Sequence, residues 1–237
     1  MCTVSFIRSN NKIIITSNRD ENIKRPDAIP NQKEKIGNLD YFFPKDPQSN
    51  GTWFIINNLG NAFVLLNGGE FKHIYKPPYS KSRGLILKEL ATSQNIIDHW
   101  NSIDLFNIEP FTIIAFFQNK LFQLRWDGDH KYFQELNSEI PHIWSSSTLY
   151  SPKISLKRKT WLKEFLPNLS TDCPDKDLLE FHTKTMSSDK INGLRINRNE
   201  EILTKNITQF VSDGLNLKLI HLDCIHNTQT ELIEKIL

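Results

Sequence analysis

Met1-Cys2-Thr3-Val4-Ser5-Phe6-Ile7-Arg8-Ser9-Asn10-Asn11-Lys12-Ile13-Ile14-Ile15-Thr16-Ser17-Asn18-Arg19-Asp20-Glu21 opens the chain. Two runs rich in β-branched and aromatic residues flank an Asn-Asn pair, which tolerates the positive φ angles of a two-residue hairpin turn. With Asn10 and Asn11 at the centre of the turn, Phe6 faces Ile15 and Cys2 faces Arg19. Directly opposed residues share one face of the sheet, with Cβ atoms about 5 Å apart. The hairpin therefore carries a thiol to a guanidinium, with Asp20 and Glu21 just beyond.

Cys at position 2 is small enough for removal of the initiator Met, so the mature chain is expected to begin at Cys2. That leaves an α-amino group of reference pKa about 7.7–8.0 beside a thiol of about 8.5. An N-terminal residue of this kind carries its own base, because the amine takes the proton and the side chain attacks. Arg19 favours the thiolate further. The other reading of Cys2 is a small buried residue at a strand start, the usual fate of a free cysteine.

The chain has 237 residues, a net charge of +2 and 24% charged residues. It is read as one domain over 1–237, long enough for a sizeable core, with nothing that calls for nucleic acid. The three cysteines, Cys2, Cys173 and Cys224, have no metal-ligand spacing and imply no disulfide framework. No apolar run approaches a membrane span, and no leader pattern is read. A reduced, soluble, cytoplasmic protein is expected. Its oligomeric state is not legible.

The opening Met1-Cys2 and the run Asn18-Arg19-Asp20-Glu21 resemble the NRDE family, also called the transport and Golgi organisation family. Asn50-Gly51-Thr52-Trp53 is similar to that family's Gly-Gly-Thr-Trp, and Asn61 to Asn67 to its next strand. Leu203 to Gly214 resembles its closing hairpin. The family in turn resembles the cysteine-type N-terminal-nucleophile hydrolases that cleave bile-salt and penicillin amides. The resemblance implies an α/β fold: a four-layer αββα sandwich of two mainly antiparallel sheets, which the order of elements also fits. It implies Cys2 as nucleophile with Arg19 and Asp20 beside it, and Asn67 helping to form the oxyanion hole. Asn67 reads equally as an Asn capping a strand before Gly68-Gly69. Asn18, Trp53, Ser146 and Lys205 are the further residues expected at the substrate site.

The chain departs from the pattern in two places. Ser145-Ser146-Ser147 stands where the related amidases use an Asn for the oxyanion, and loss of such a donor costs about 10²–10³ in rate. Lys205 stands near the family's Arg, keeping the charge but losing the bidentate fork.

Along the rest of the chain, residues 22–50 with Pro26, Pro30, Pro44 and Pro47 read as a long irregular connection. Hairpins are expected at 52–57 with 61–67 and at 204–212 with 215–222, and strands at 111–118, 121–125 and 131–136. Helices are expected over 84–101 with a break near Thr92-Ser93, in 140–165 after a short strand, over 175–186 and over 228–237. Residues 72–83 form a basic loop, read as solvated or as a lure for an anionic substrate. Two functions follow. One is hydrolysis of a non-peptide C–N (amide) bond in a small acylated metabolite, with no cofactor required. The alternative is a non-catalytic carrier of an amphipathic metabolite, haem or an acyl lipid, on the same fold.

Overall fold

A computed structural model describes residues 2–237, with the side chain of Cys2 outside the described set. The first hairpin pairs β1 (Cys2–Ser9) with β2 (Lys12–Asn22) in antiparallel register, Phe6 opposite Ile15 and Cys2 opposite Arg19. Asn10 and Asn11 take φ of 48° and 60°, the left-handed pair that a two-residue turn needs.

Residues 22–50 depart from the expected irregular connection. They hold β3 (Ile29–Ile36) and β4 (Leu39–Lys45), a hairpin turning at Gly37 with φ +61°. Pro30 falls in the register irregularity between Ile29 and Gln32, and β3 is an edge strand, where a missing N–H is tolerated. Then come β5 (Phe54–Asn57) and β6 (Ala62–Asn67), α1 (Arg83–Ala91) and α2 (Ile96–Ser102). Strands β7 (Phe111–Phe117), β8 (Lys120–Trp126), β9 (Lys131–Leu136) and β10 (His142–Ser145) follow. After them lie α3 (Pro152–Phe165), α4 (Pro174–Lys184), β11 (Asn197–Arg198), β12 (Ile202–Ser212), β13 (Asn216–Asp223) and β14 (Thr228–Lys235). The last segment is thus a strand and not the expected helix. Hydrogen bonding to β13 along its whole length outweighs the helix-like spacing of its apolar residues.

Among the described residues the strands form two seven-stranded antiparallel sheets. One runs β10-β1-β2-β12-β13-β14, with β11 on β12, and the other runs β3 to β9 in chain order. Alternation along each strand assigns the faces. Phe6 of the first sheet meets Phe116 of the second at 5.9 Å between ring centroids. Phe111, five residues from Phe116, meets Trp100 of α2 on the opposite side. On the first sheet, Ile7, Ile14 and Val211 pack outward with Leu162, Leu178 and Phe181 of α3 and α4. The layers are helix, sheet, sheet, helix, as expected. Among the described residues no helix is long and apolar enough to cross a membrane.

Candidate functional site

The inner face of the first sheet grades from apolar to polar along its strands. Phe6, Ile15, Phe210 and Leu219 form one row across β1, β2, β12 and β13, and all are buried in the core between the sheets. The next row is Val4, Ser17, Thr208 and His221. The row after that is Cys2, Arg19, Asn206 and Asp223. Each row lies two residues further along every strand, so all three share one face.

Arg19 is only 3% exposed. Its Nη2 donates to Asp46 Oδ2 at 2.9 Å, and its guanidinium lies 4.4 Å over the Trp53 ring. Its Nη1 is buried without a hydrogen-bond partner among the described residues. Asp46 also accepts from Arg25 Nε at 2.7 Å and from the N–H groups of Gln48 and Ser49 at 3.0 and 3.2 Å. Burial pushes the Asp46 carboxyl up, but the Arg25 hydrogen bond and the charges of Arg25 and Arg19 outweigh it and hold the pKa below the ordinary carboxylate range. A fixed cation, clamped from behind, therefore lies opposite position 2.

Asn50-Gly51-Thr52-Trp53 is the device that seats Trp53. A Cβ on Gly51 would lie 2.7 Å from the Gly84 carbonyl carbon at the start of α1, so only glycine allows this approach. The Thr52 hydroxyl bonds the Pro44 carbonyl at 2.7 Å. Arg19, Trp53 and Asn67 line a common cleft of about 360 Å³, with Glu21, Arg25 and Tyr75 among its other walls.

Of the remaining expected site residues, Asp20 and Asn18 face away from the cleft, and Ser146 and Lys205 touch the backbone of its lining residues Asn67 and Arg25. Asp20 follows Arg19 on a strand, so its side chain points to the outer face. There its carboxylate accepts from Tyr150 Oη at 2.5 Å and Thr204 Oγ1 at 2.6 Å. Burial pushes its pKa up, against the lowering by the Arg158 charge and these two donors. Asn18 also faces outward. It donates to the carbonyls of His182 and Leu194 at 3.0 and 2.7 Å, and its carbonyl oxygen accepts from His182 Nδ1. That bond fixes the tautomer, so Nε2 accepts from the Ser5 hydroxyl at 2.6 Å. Burial drives the His182 pKa down to about 3. Ser146 donates to the Asn67 carbonyl at 2.7 Å, so its hydroxyl fixes the backbone of Asn67. Lys205 sits at the irregularity of β12 and binds the Arg25 carbonyl at 2.6 Å and Asp27 at 2.8 Å.

Sequence reasoning missed Asp46, Tyr150 and Arg158. Arg158 is fully buried, donates to Thr3 and to the Gly193 carbonyl at 2.7 Å, and lies 3.6 Å over the Tyr150 ring. Its spacing of four from Leu162 on α3 was the available signal, since i and i+4 share a helix face. For Asp46 the signal was Asp-Pro, a turn-initiating pair.

No curated protein matches the sequence. Among solved structures, the chain is similar to a Caenorhabditis elegans ortholog of N-acylethanolamine-hydrolyzing acid amidase. The TM-score is 0.62 at 13% identity, covering 90% of this chain and 94% of that one. It is also similar to a mutant of the conjugated bile acid hydrolase from Clostridium perfringens, with TM-score 0.54, 10% identity, and 99% and 96% covered. These likenesses establish an N-terminal-nucleophile hydrolase-like fold. The family model for Transport and Golgi organisation 2 matches residues 1–229, and the chain belongs to that family.

Proposed function

We propose that the chain is a cysteine N-terminal-nucleophile hydrolase that cleaves the amide C–N bond of a small acylated metabolite. The observation that carries this reading is the register of Cys2 opposite Arg19, at a cleft where Arg19 Nη1 is buried without a partner among the described residues. A buried donor left unsatisfied costs about 1–3 kcal/mol, and a thiolate at Cys2 is the acceptor that this register offers it.

With Met1 removed, the α-amine of Cys2 takes the thiol proton and the sulfur attacks the amide carbonyl carbon. Negative charge moves to the carbonyl oxygen, where the Asn67 side-chain amide donates. Collapse breaks the C–N bond, and the α-ammonium returns the proton to the departing amine. Water then gives its proton to the α-amine and attacks the thioester, releasing the carboxylic acid and restoring the thiol. Asp20 acts from the outer face, holding β2 to β12 through Thr204. No cofactor takes part.

A second reading keeps the cleft as a carrier for an amphipathic metabolite such as haem or an acyl lipid. The position of Ser146 favours it, because its hydroxyl is committed to Asn67 and supplies no oxyanion donor. A panel of acyl amides separates the two. Hydrolysis predicts amine release that is lost in Cys2→Ala, with a remnant in Cys2→Ser. No release from protein shown to begin at Cys2, or release unchanged in Cys2→Ala, overturns the hydrolase.

A further inference from the structure

The basic loop singled out in the sequence also presents large apolar side chains to solvent. Ile74 is 77% exposed, Phe71 72% and Tyr75 66%, and Phe106 beside the loop is 83% exposed. Large apolar side chains grouped in this way mark an interaction surface. Lys72, Lys76 and Lys81 are interleaved with them and are exposed as well. Residues 71–83 contain no Asp or Glu; Lys81 pairs with Glu89 and Arg83 with Glu109, so Lys72 and Lys76 carry the positive charge of this surface.

The loop is held in place. The Ser80 N–H donates to the Asn107 carbonyl at 3.0 Å and Asn107 Nδ2 to the Pro78 carbonyl at 3.0 Å. The Lys76 N–H donates to Tyr79 Oη at 2.9 Å. The Phe106 carbonyl accepts from the Ser80 hydroxyl at 3.3 Å, which fixes Phe106 to the same surface. Tyr75, Pro77, Tyr79 and Lys81 also line the cleft that holds Arg19.

We infer that this loop docks the protein on an anionic lipid bilayer, with the cleft mouth at the lipid surface. Aromatic and aliphatic side chains interleaved with lysines match a bilayer interface, where apolar groups enter the headgroup boundary and cations meet anionic lipid. The positive charge selects this partner over an apolar face on a second copy of the chain, whose own lysines would oppose it. The inference does not depend on hydrolysis at Cys2.

The test is flotation of the full chain with vesicles of phosphatidylcholine alone and with about one-third phosphatidylserine, each lysine near such a surface being worth about fivefold in partitioning. Binding is expected to the anionic vesicles and not to the neutral ones. Lys72→Gln with Lys76→Gln should weaken it by roughly twenty-fold. Ile74→Ser with Phe106→Ser should abolish it while thermal unfolding stays unchanged. Absence of flotation on anionic vesicles overturns the inference, as does flotation indifferent to both double variants. So does a dimer, seen by sedimentation, that Ile74→Ser with Phe106→Ser dissolves without any lipid binding.

Discussion

Replacing Asp46 by Asn tests the clamp behind Arg19. The carboxylate serves four donors, with Oδ2 taking Arg19 and Arg25 and Oδ1 taking the Gln48 and Ser49 N–H groups. An amide offers one oxygen, so in either orientation its NH₂ confronts two donors. The Arg19 guanidinium, 3% exposed, also loses its nearer counter-charge and keeps only Glu21 Oε2 at 3.9 Å. Breaking a buried pair from one side costs about 3–5 kcal/mol. Arg25 is 27% exposed and can turn to water, which places the loss near about 3 kcal/mol. For a chain of this size that is a fall of about 6–12 °C in Tm. The pH dependence has a fixed sign. Because the folded pKa of Asp46 is depressed, its stabilisation is present above the unfolded value of about 3.9 and is lost as pH falls through the folded pKa. Denaturant titrations of both proteins should therefore show the full gap at pH 7 and a shrinking one below about pH 4. A gap under about 0.5 kcal/mol at pH 7, the size of an ordinary surface change, would refute the clamp. So would a gap that does not close in acid.

Three further outcomes follow from the same geometry. His182 is held neutral with a folded pKa of about 3, so acid protonates the unfolded chain first. Stability should fall as pH drops from about 6.5, with His182 and the likewise buried His221, its pKa lowered to about 4, each contributing up to about 1.4 kcal/mol per unit. His182→Gln should remove its own share and make the pH profile of unfolding less steep. Gly51→Ala should cost about 1–3 kcal/mol through overpacking against Gly84, and should lower activity by moving Trp53. Calorimetry and the amide assay would show both effects. Intact-mass analysis of natively expressed, active protein should give a chain that begins at Cys2, and retained Met1 would remove the free-amine mechanism.

The first hairpin was legible because two independent signals agree. Asn10-Asn11 fits only a tight turn, and the facing runs pair without a gap, so Cys2 opposite Arg19 follows from counting. The αββα layering was legible from the family resemblance, which the order of elements fits. The terminal strand β14 was not, because Leu232, Ile233, Ile236 and Leu237 have helix-like spacing, and only β13 beside it decides the matter. Four prolines hid β3 and β4, since a proline argues against a strand unless the strand is at an edge or irregular. Asp46 was hidden for a different reason. It belongs to a turn twenty-seven residues from Arg19, and nothing local marks a carboxylate as the partner of a distant cation. The opposite facing of Arg19 and Asp20 was available from strand alternation alone.

If Arg19 stabilises a reactive thiolate at Cys2, the pH dependence of Cys2 alkylation by iodoacetamide will show it. Cys173 is the internal reference, because burial pushes the Cys224 thiol up to about 11 and makes that residue slow for its own reason. The Cys2 midpoint is expected below the reference of about 8.5, toward 7 or lower, and should rise in Arg19→Gln. A Cys2 midpoint at or above about 8.5 that Arg19→Gln leaves unmoved would contradict that stabilisation.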